Sequence, residues 1–229
     1  MNYEISRVRP LYARITQPWR MTIPLGGVHF KNFGELMSRY EFLEAPRTLE
    51  EFAIERGIVF RHGRFITMQS KRPVVIGEMR VYNSGVVVDS ATDTDILEEF
   101  IKQLMDQATD QLGIEFDIKI DSSTYYSSQL EFLLYISDPD KVKEQSKADN
   151  ISSLLNSYLE GYNIPTTKFH HNVGTFDVDP LDNPGGLIGH FSISRRAGFP
   201  YGNSMYFSEA PLKTRDHQAA LVQILDLLG

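Results

Sequence analysis

The chain of 229 residues contains no cysteine. This absence excludes disulfide bonds, thiolate nucleophiles and cysteine-ligated zinc or iron–sulfur sites, and it fits a reducing compartment. Long hydrophobic runs are also absent, because the longest uninterrupted apolar segment covers only residues 132–136. A membrane-spanning helix needs roughly 20 such residues, and no signal-peptide pattern follows Met1. We therefore expect a cytoplasmic protein that does not enter a membrane.

The glycine and histidine patterns of known catalytic motifs are missing too. Residues 183–189 include three glycines, but no lysine follows and no helix begins there, so a turn is expected instead of a phosphate-binding loop. Neither Gly-x-Ser-x-Gly nor His-Glu-x-x-His occurs. His170 and His171 adjoin, but neighbours on a strand point to opposite faces and cannot readily share one metal ion. The sequence predicts no metal site and no cofactor.

Charge is distributed unevenly along the chain, whose formal net charge is −7. Residues 1–80 carry 13 basic and 8 acidic side chains, whereas residues 81–160 carry 5 basic and 16 acidic ones. Eleven of the 13 basic residues are arginines, whose planar fork suits carboxylates and phosphates. The two regions either pair within the molecule or leave a positive face for an anionic partner. The isoelectric point of about 5.4 makes nucleic-acid binding through the arginine-rich first third the least favoured function.

Hydrophobic periodicity predicts the secondary structure. Apolar residues spaced three and four apart indicate a long helix over residues 95–112, which Gly113 ends. Shorter helices are expected at 49–56, at 151–159 and after Thr214, where His217 lies on the apolar stripe as a core residue. Alternating patterns predict strands at 11–16, 58–60, 65–68, 74–82, 86–89, 114–120 and 130–136, and three more in the last third.

Hairpins dominate this pattern, and helices come singly between them. We therefore predict an α+β fold with a mainly antiparallel sheet and helices packed on one face. Strands 114–120 and 130–136 should pair with each other, and a bulge is expected at Gly174, where the apolar alternation changes phase. Residues 1–229 are interpreted as a single domain, with an internal division near the polar segment 138–149 as the alternative.

The turn between strands 114–120 and 130–136 is the first candidate site. It carries Tyr125 and Tyr126 among serines, a composition typical of recognition loops. We expect both tyrosines to be exposed, with an acidic surface of Glu115, Asp117 and Glu131 beside them. The alternative is that the rings fold back over the sheet.

A second candidate site lies on the outward face of the last strands. A carboxylate, an imidazole and a guanidinium there would suffice for acid–base chemistry on an anionic or phosphorylated substrate. A solvated polar face is the simpler interpretation. The weak catalytic candidates are His190, Arg196, Asp177, Asp179 and Tyr206.

The missing motifs and the tyrosine-bearing acidic surface together favour one function. We expect a non-catalytic protein-binding module, meaning a subunit, adaptor or inhibitor. Its partner would be a protein, which includes a second copy of the chain in a homo-oligomer. An enzyme acting through the second candidate site is the alternative.

Overall fold

The computed structural model describes residues 3–23, 30–48, 50–68, 71–118, 124–136, 145–162, 169–172, 175–179, 181–183, 186–199 and 204–228. The chain divides into two compact units. We call Ala13–Thr124 the middle unit, and Met1–Tyr12 with Tyr125–Gly229 the terminal unit. The unit boundaries therefore fall at residues 12/13 and 124/125. Residues 137–144, in the segment where a division was the alternative, lie outside the described residues.

Both units have the α+β architecture that the sequence predicts. The middle unit contains residues 13–18 of β1 (Tyr3–Pro18), followed by β2 (Arg20–Thr22), α1 (Phe30–Ser38), β3 (Ile58–Ile66), β4 (Pro73–Tyr82), β5 (Gly85–Ser90), α2 (Thr94–Leu112) and β6 (Glu115–Asp117). Its antiparallel sheet has the order β3-β4-β5-β1, and β2 pairs with β6 in a separate two-stranded ribbon.

The terminal unit is a second antiparallel sheet with two helices. After β1 it contains β7 (Tyr125–Ile136), α3 (Gln145–Gly161), β8 (Phe169–Asn172), β9 (Thr175–Val178), β10 (Phe191–Arg195), β11 (Met205–Ala210) and α4 (Thr214–Leu228). Its strand order is β8-β9-β10-β11-β7, with β1 next to β7. Both helices contribute to one core cluster, with Leu155 and Leu159 from α3 and Leu221 and Ile224 from α4.

The two units follow the same chain path. Each starts with a strand, continues into a helix and an antiparallel meander, and then reaches a second helix. In each, the first strand pairs with the last strand of the meander, β1 with β5 and β7 with β11. The final helix begins at a buried threonine four residues after that strand, at Thr94 and at Thr214. Among the described residues, the meander of the terminal unit has one more strand, and the middle unit has the β2–β6 ribbon in addition. The two units therefore share an order of elements that the sequence pattern did not reveal.

Helix α2 confirms the strongest periodicity in the sequence. The side chain of Asp93 accepts a hydrogen bond from the backbone N–H of Ile96 at 2.9 Å, which satisfies an amide at the helix start. Gly113 ends the helix in the left-handed conformation (φ 65°); its N–H donates to the carbonyl of Thr109, and the N–H of Ile114 donates to that of Ala108. The apolar stripe is buried, as expected. No helix among the described residues is long and apolar enough to cross a membrane.

The short helix predicted at 49–56 is wrong, because the described residues from 50 onward form turns. The Glu51 carboxylate accepts hydrogen bonds from the amides of Arg47 and Thr48, as in a helix cap. Phe52 and Ile54 nevertheless line one cavity of the middle unit. Residues two positions apart point to different sides of a helix, so a helical backbone could not direct both side chains into it. The break predicted at 61–64 is also wrong, because β3 continues through Gly63, which pairs with Ile76.

The predicted pairing of strands 114–120 and 130–136 is wrong as well. Of the described residues 114–118, Glu115–Asp117 form a strand, which pairs with β2, while β7 pairs with β11. The reason lies in packing, because Phe116 contacts Trp19 at a ring-centroid distance of 4.8 Å. The segment predicted as one bulged strand is two antiparallel strands, β8 and β9. Gly174 lies outside the described residues.

Candidate functional site

The two tyrosines predicted to be a recognition tip are the first residues of β7. Tyr126 is only 9% exposed. Its ring centroid lies 5.4 Å from that of Tyr162 and 4.9 Å from Nζ of Lys213. Tyr125 is half-buried against the core of the terminal unit. The expectation of exposure is wrong for Tyr126, because the ring folds back onto its own unit.

The acidic surface expected beside the tyrosines is not assembled as predicted. Glu115 and Asp117 are exposed on β6 of the middle unit, whereas Glu131 belongs to the terminal unit and is only 5% exposed. The expectation that Glu131 faces solvent is wrong. Two arginines cover its carboxylate, with Nε of Arg9 at 2.8 Å and Nε of Arg196 at 3.3 Å.

The second predicted site is divided between the two sides of the terminal sheet. Tyr206 packs on the helix-covered side, where its ring stacks on Phe132 at a centroid distance of 6.1 Å. The guanidinium of Arg195 lies over the same ring at 5.5 Å. Arg196 instead contacts Glu131. Arg195 and Arg196 are consecutive, so their side chains point to opposite faces of the sheet. Arg195 shares a face with Tyr206, and Tyr206 and Arg196 therefore do not meet.

The remaining catalytic candidates serve local structure. Asp177 accepts a hydrogen bond from the hydroxyl of Thr175 at 3.1 Å, and Asp179 accepts from the amide of Leu181 at 2.8 Å. His190 is exposed immediately before β10. Within the described ranges, no three histidine or acidic side chains are grouped so that they could hold a metal ion.

His217 is a core residue, as the sequence predicts. Its ring is fully buried between two serines, with Nδ1 2.9 Å from the Ser128 hydroxyl and Nε2 2.8 Å from the Ser208 hydroxyl. Burial lowers the pKa of His217 to about 3, because the charged ring would lose its hydration. The neutral imidazole therefore has a structural role in the terminal unit.

Several arginines of the first third form ion pairs within the molecule. Arg61 contacts Glu44 at 3.3 Å and Glu78 at 2.7 Å, and Arg64 contacts Glu41 at 3.4 Å. These carboxylates belong to the same basic third, whereas Arg14 pairs with Asp89 of the acidic region at 3.2 Å. Pairing lowers the positive charge that this region offers to a nucleic acid.

The main feature that the sequence did not reveal is a cavity of about 400 Å³ in the middle unit. Protein cores pack densely and leave few voids larger than a water molecule, whereas ligand pockets measure roughly 300 to 1,000 Å³. The cavity is enclosed by α1, α2, the β2–β6 ribbon and neighbouring segments. Among the described residues, those that line it are all apolar: Trp19, Met21, Ile23, Phe33, Leu36, Met37, Phe52, Ile54, Ile58, Val81, Leu104, Met105, Ala108, Leu112, Ile114 and Phe116.

The cavity has a buried floor and a solvent-accessible mouth. The floor includes Leu36, Leu104 and Ala108, whereas Met105 is half-buried and Ile23 is 45% exposed. The indole N–H of Trp19 already donates to the carbonyl of Tyr82 at 3.2 Å. The cavity wall therefore presents hydrocarbon, aromatic rings and thioether sulfur, which suit an apolar ligand.

A second recess of about 430 Å³ adjoins the cavity. The two share Phe33, Met37 and Phe52 as lining residues, and the rings of Phe33 and Phe52 meet edge to face at 6.0 Å. In the terminal unit, α3 is 17 residues long and its leucines complete a closed core, whereas α1 has only 9 residues.

Acidic residues adjoin the lining residues in the chain. Exposed Glu115 and Asp117 lie on either side of Phe116 in β6, and Asp106 follows Met105 in α2. Basic residues adjoin the lining as well, because Arg20 stands opposite Asp117 in the β2–β6 register and Arg80 precedes Val81. Further exposed acids that neighbour lining residues are Glu35, Glu51 and Glu55.

Sequence patterns alone could not separate this cavity from a closed core. Lining residues repeat with the same periodicity as packed residues, and their distance from one another depends on the fold. The only signal was the placement of three of the seven methionines, Met21, Met37 and Met105, in the segments that form the cavity. In the comparisons with known proteins, no protein-family model matches the chain, and no characterised protein is significantly similar to it.

Proposed function

We propose that the protein is a non-catalytic binding module whose middle unit receives the apolar side chains of a basic partner protein. The observation that carries this proposal is the apolar cavity of about 400 Å³ with an accessible mouth. Buried aromatic and aliphatic anchors that fill such pockets supply most of the affinity of protein interfaces. The lining methionines support this proposal, because their flexible side chains adapt to different bound shapes.

Charge argues for a basic partner. The mouth region carries Glu115 and Asp117 beside Phe116, and further acids adjoin other lining residues. Opposite charges at the rim of an interface accelerate association and select against acidic partners. The same two residues belonged to the acidic surface predicted from the sequence. Glu115 and Asp117 therefore remain the charged part of the proposed binding surface. The cavity, instead of Tyr125 and Tyr126, supplies its apolar contacts.

The test is selection from a random-peptide display library against the whole chain. Selected peptides should combine aromatic or aliphatic residues with lysine or arginine. Ile23→Lys places a charge at the cavity mouth and should weaken their binding by at least about 2 kcal/mol, the usual mark of a hot spot. The matched control is Ile66→Lys, which changes a similarly exposed isoleucine (54%) of the same unit that does not line this cavity.

Two outcomes would contradict the proposal. The first is a set of selected peptides that bind both lysine variants equally. The second is tight, saturable binding of a fatty acid that only Ile23→Lys abolishes, together with peptides that are indifferent to Ile23. That result would assign the cavity to a small apolar molecule. Neutralising Glu115 and Asp117 with glutamine and asparagine should also reduce the salt dependence of peptide binding.

A further inference from the structure

The terminal unit contains a second charged feature, independent of the cavity, on the sheet face opposite its helices. Glu131 lies between Leu130 and Phe132, both of which belong to the helix-covered core. Alternation along β7 therefore directs Glu131 to the other face. Phe207 is its register partner on β11, and Ser194 on β10 is paired in turn with Phe207.

The carboxylate of Glu131 holds two arginines from different parts of the chain. Nε of Arg9, on β1, lies 2.8 Å from Oε1, and Nε of Arg196, just after β10, lies 3.3 Å from Oε2. A buried carboxylate is costly unless it is paired, and Glu131 has a cation at each oxygen. Two guanidinium groups against one carboxylate leave a formal charge of +1 at this point.

The two arginines use only part of their hydrogen-bonding capacity on Glu131. A guanidinium has five N–H donors; Nε of Arg9 donates to Glu131 at 2.8 Å, whereas Arg196 forms an ion pair in which Nε lies 3.3 Å from the carboxylate. The two Nη groups of each arginine remain as additional donors. The Arg9 side chain is 66% exposed and that of Arg196 is 35% exposed, so solvent reaches both.

We propose that Arg9 and Arg196, held by Glu131, form a binding site for a phosphate group. Tethering each guanidinium through Nε reduces the side-chain entropy that a ligand would otherwise have to remove. Two guanidinium forks attached to opposite oxygens of one carboxylate can contact different oxygens of a tetrahedral anion, whereas a carboxylate ligand is already satisfied by one fork.

The surface next to the arginines selects what carries the phosphate. The guanidinium of Arg196 lies over the ring of Phe207, 5.7 Å from its centroid, and Met205 is on the same face of β11. Glu209 lies two residues beyond Phe207 on the same face of β11. Its negative charge therefore stands on the side of Phe207 away from Met205. The site therefore favours a single phosphate attached to an apolar or aromatic group over a polyanion.

The experiment is an NMR titration of the full chain with inorganic phosphate at constant ionic strength, maintained with chloride. We expect saturable shifts of the amides of Arg9, Glu131, Arg196 and Phe207. Arg9→Lys and Arg196→Lys keep the charge but remove the fork, and each should weaken phosphate binding by about tenfold. Arg215→Lys is the matched control, because Arg215 is 65% exposed and ion-paired to Asp216 in the same unit, and its dissociation constant should equal that of the unmodified chain.

A chain with native spectra but no saturable phosphate shifts would overturn the proposal and leave the three residues a purely structural ion-pair network. Equal weakening in all three lysine variants would also overturn it, because that result indicates non-specific charge attraction. Phenyl phosphate and adenosine monophosphate extend the titration. Tighter binding of phenyl phosphate than of inorganic phosphate supports the role of Phe207, and tighter binding of the nucleotide identifies the source as a nucleotide.

Discussion

The imidazole of His217 lies 2.8 Å from the hydroxyl of Ser208 inside the core of the terminal unit. The other ring nitrogen meets Ser128, whose hydroxyl is also 2.9 Å from the carbonyl of Leu212. A neutral ring carries one N–H, which one of the two serine hydroxyls accepts; the Ser128 hydroxyl donates to the carbonyl of Leu212 and the Ser208 hydroxyl to that of Ser192. This arrangement ties α4 to β7 and β11.

The folded protein should therefore be less stable at low pH than at neutral pH. The pKa of His217 is lowered to about 3 in the folded chain, while the unfolded residue keeps a value near 6.5. Between these pH values the unfolded state binds more protons, so the free energy of unfolding decreases as pH falls from about 6.5 towards 3. Within this range, His217 changes the free energy of unfolding by up to about 1.4 kcal/mol per pH unit.

His217→Asn removes this term, and urea unfolding at a series of pH values measures it. The variant should be less stable at pH 7 but should show a shallower pH dependence above pH 4. His62→Asn is the comparison variant, because it replaces a histidine that is 53% exposed instead of buried. Parallel curves for the unmodified chain and His217→Asn would contradict the assignment.

Tyr126 should stabilise the fold and not serve as a contact for a partner. Its ring packs against Tyr162 and Lys213, so Tyr126→Ala should lower the free energy of unfolding by about 3 kcal/mol. Tyr125→Ala should cost less, because Tyr125 is only half-buried. Thermal denaturation measures both changes. An unchanged melting temperature in Tyr126→Ala would restore the recognition-loop hypothesis.

The parts of the fold that could be predicted from the sequence are those that depend on contacts between residues close together in the chain. Helix α2 has its cap at Asp93, its stripe and its terminal Gly113 within one continuous segment. The hairpin of β4 and β5 has its turn between the two strands it joins. Residues close in sequence make these contacts, so their pattern contains the information.

The failures concern partners that are distant in sequence. The alternation around Phe116 correctly indicated a strand, but it could not show that Trp19 would be the aromatic neighbour and β2 the pairing strand. Glu131 has an alternation that predicts exposure, and only Arg9 and Arg196, respectively 122 and 65 positions away, bury it. The cavity could not be predicted for the same reason, because the segments that line it are distant from one another in the sequence.

Gly63 should be intolerant of a side chain. A Cβ at this position would lie 2.3 Å from Cε1 of Phe42, whose ring packs against the strand backbone. Gly63→Ala should therefore destabilise the protein by on the order of 2 kcal/mol through the displaced ring. Gly34→Ala is the contrasting change, because nothing lies within 4 Å of its Cβ position in α1, and helix propensity should then stabilise the protein by about 1 kcal/mol. Equal effects of the two changes in urea unfolding would contradict this packing.

The cavity makes the sharpest prediction about packing, because two helical alanines occupy opposite situations. Ala108 of α2 lines the cavity, whereas Ala220 of α4 is fully buried in the closed core of the terminal unit. Ala108→Met should place a flexible side chain in unfilled space and raise the free energy of unfolding by about 1 kcal/mol.

Ala220→Met should instead overpack its site and lower the free energy of unfolding by about 1 to 3 kcal/mol. Ala108→Met should at the same time weaken the cavity-binding peptides, because its side chain occupies their site. Stability and binding would then change in opposite directions in one variant, as expected where a binding pocket is kept open at the expense of packing. If Ala108→Met destabilised the chain as much as Ala220→Met, the space beside α2 would not be available to a side chain of the protein or of a partner.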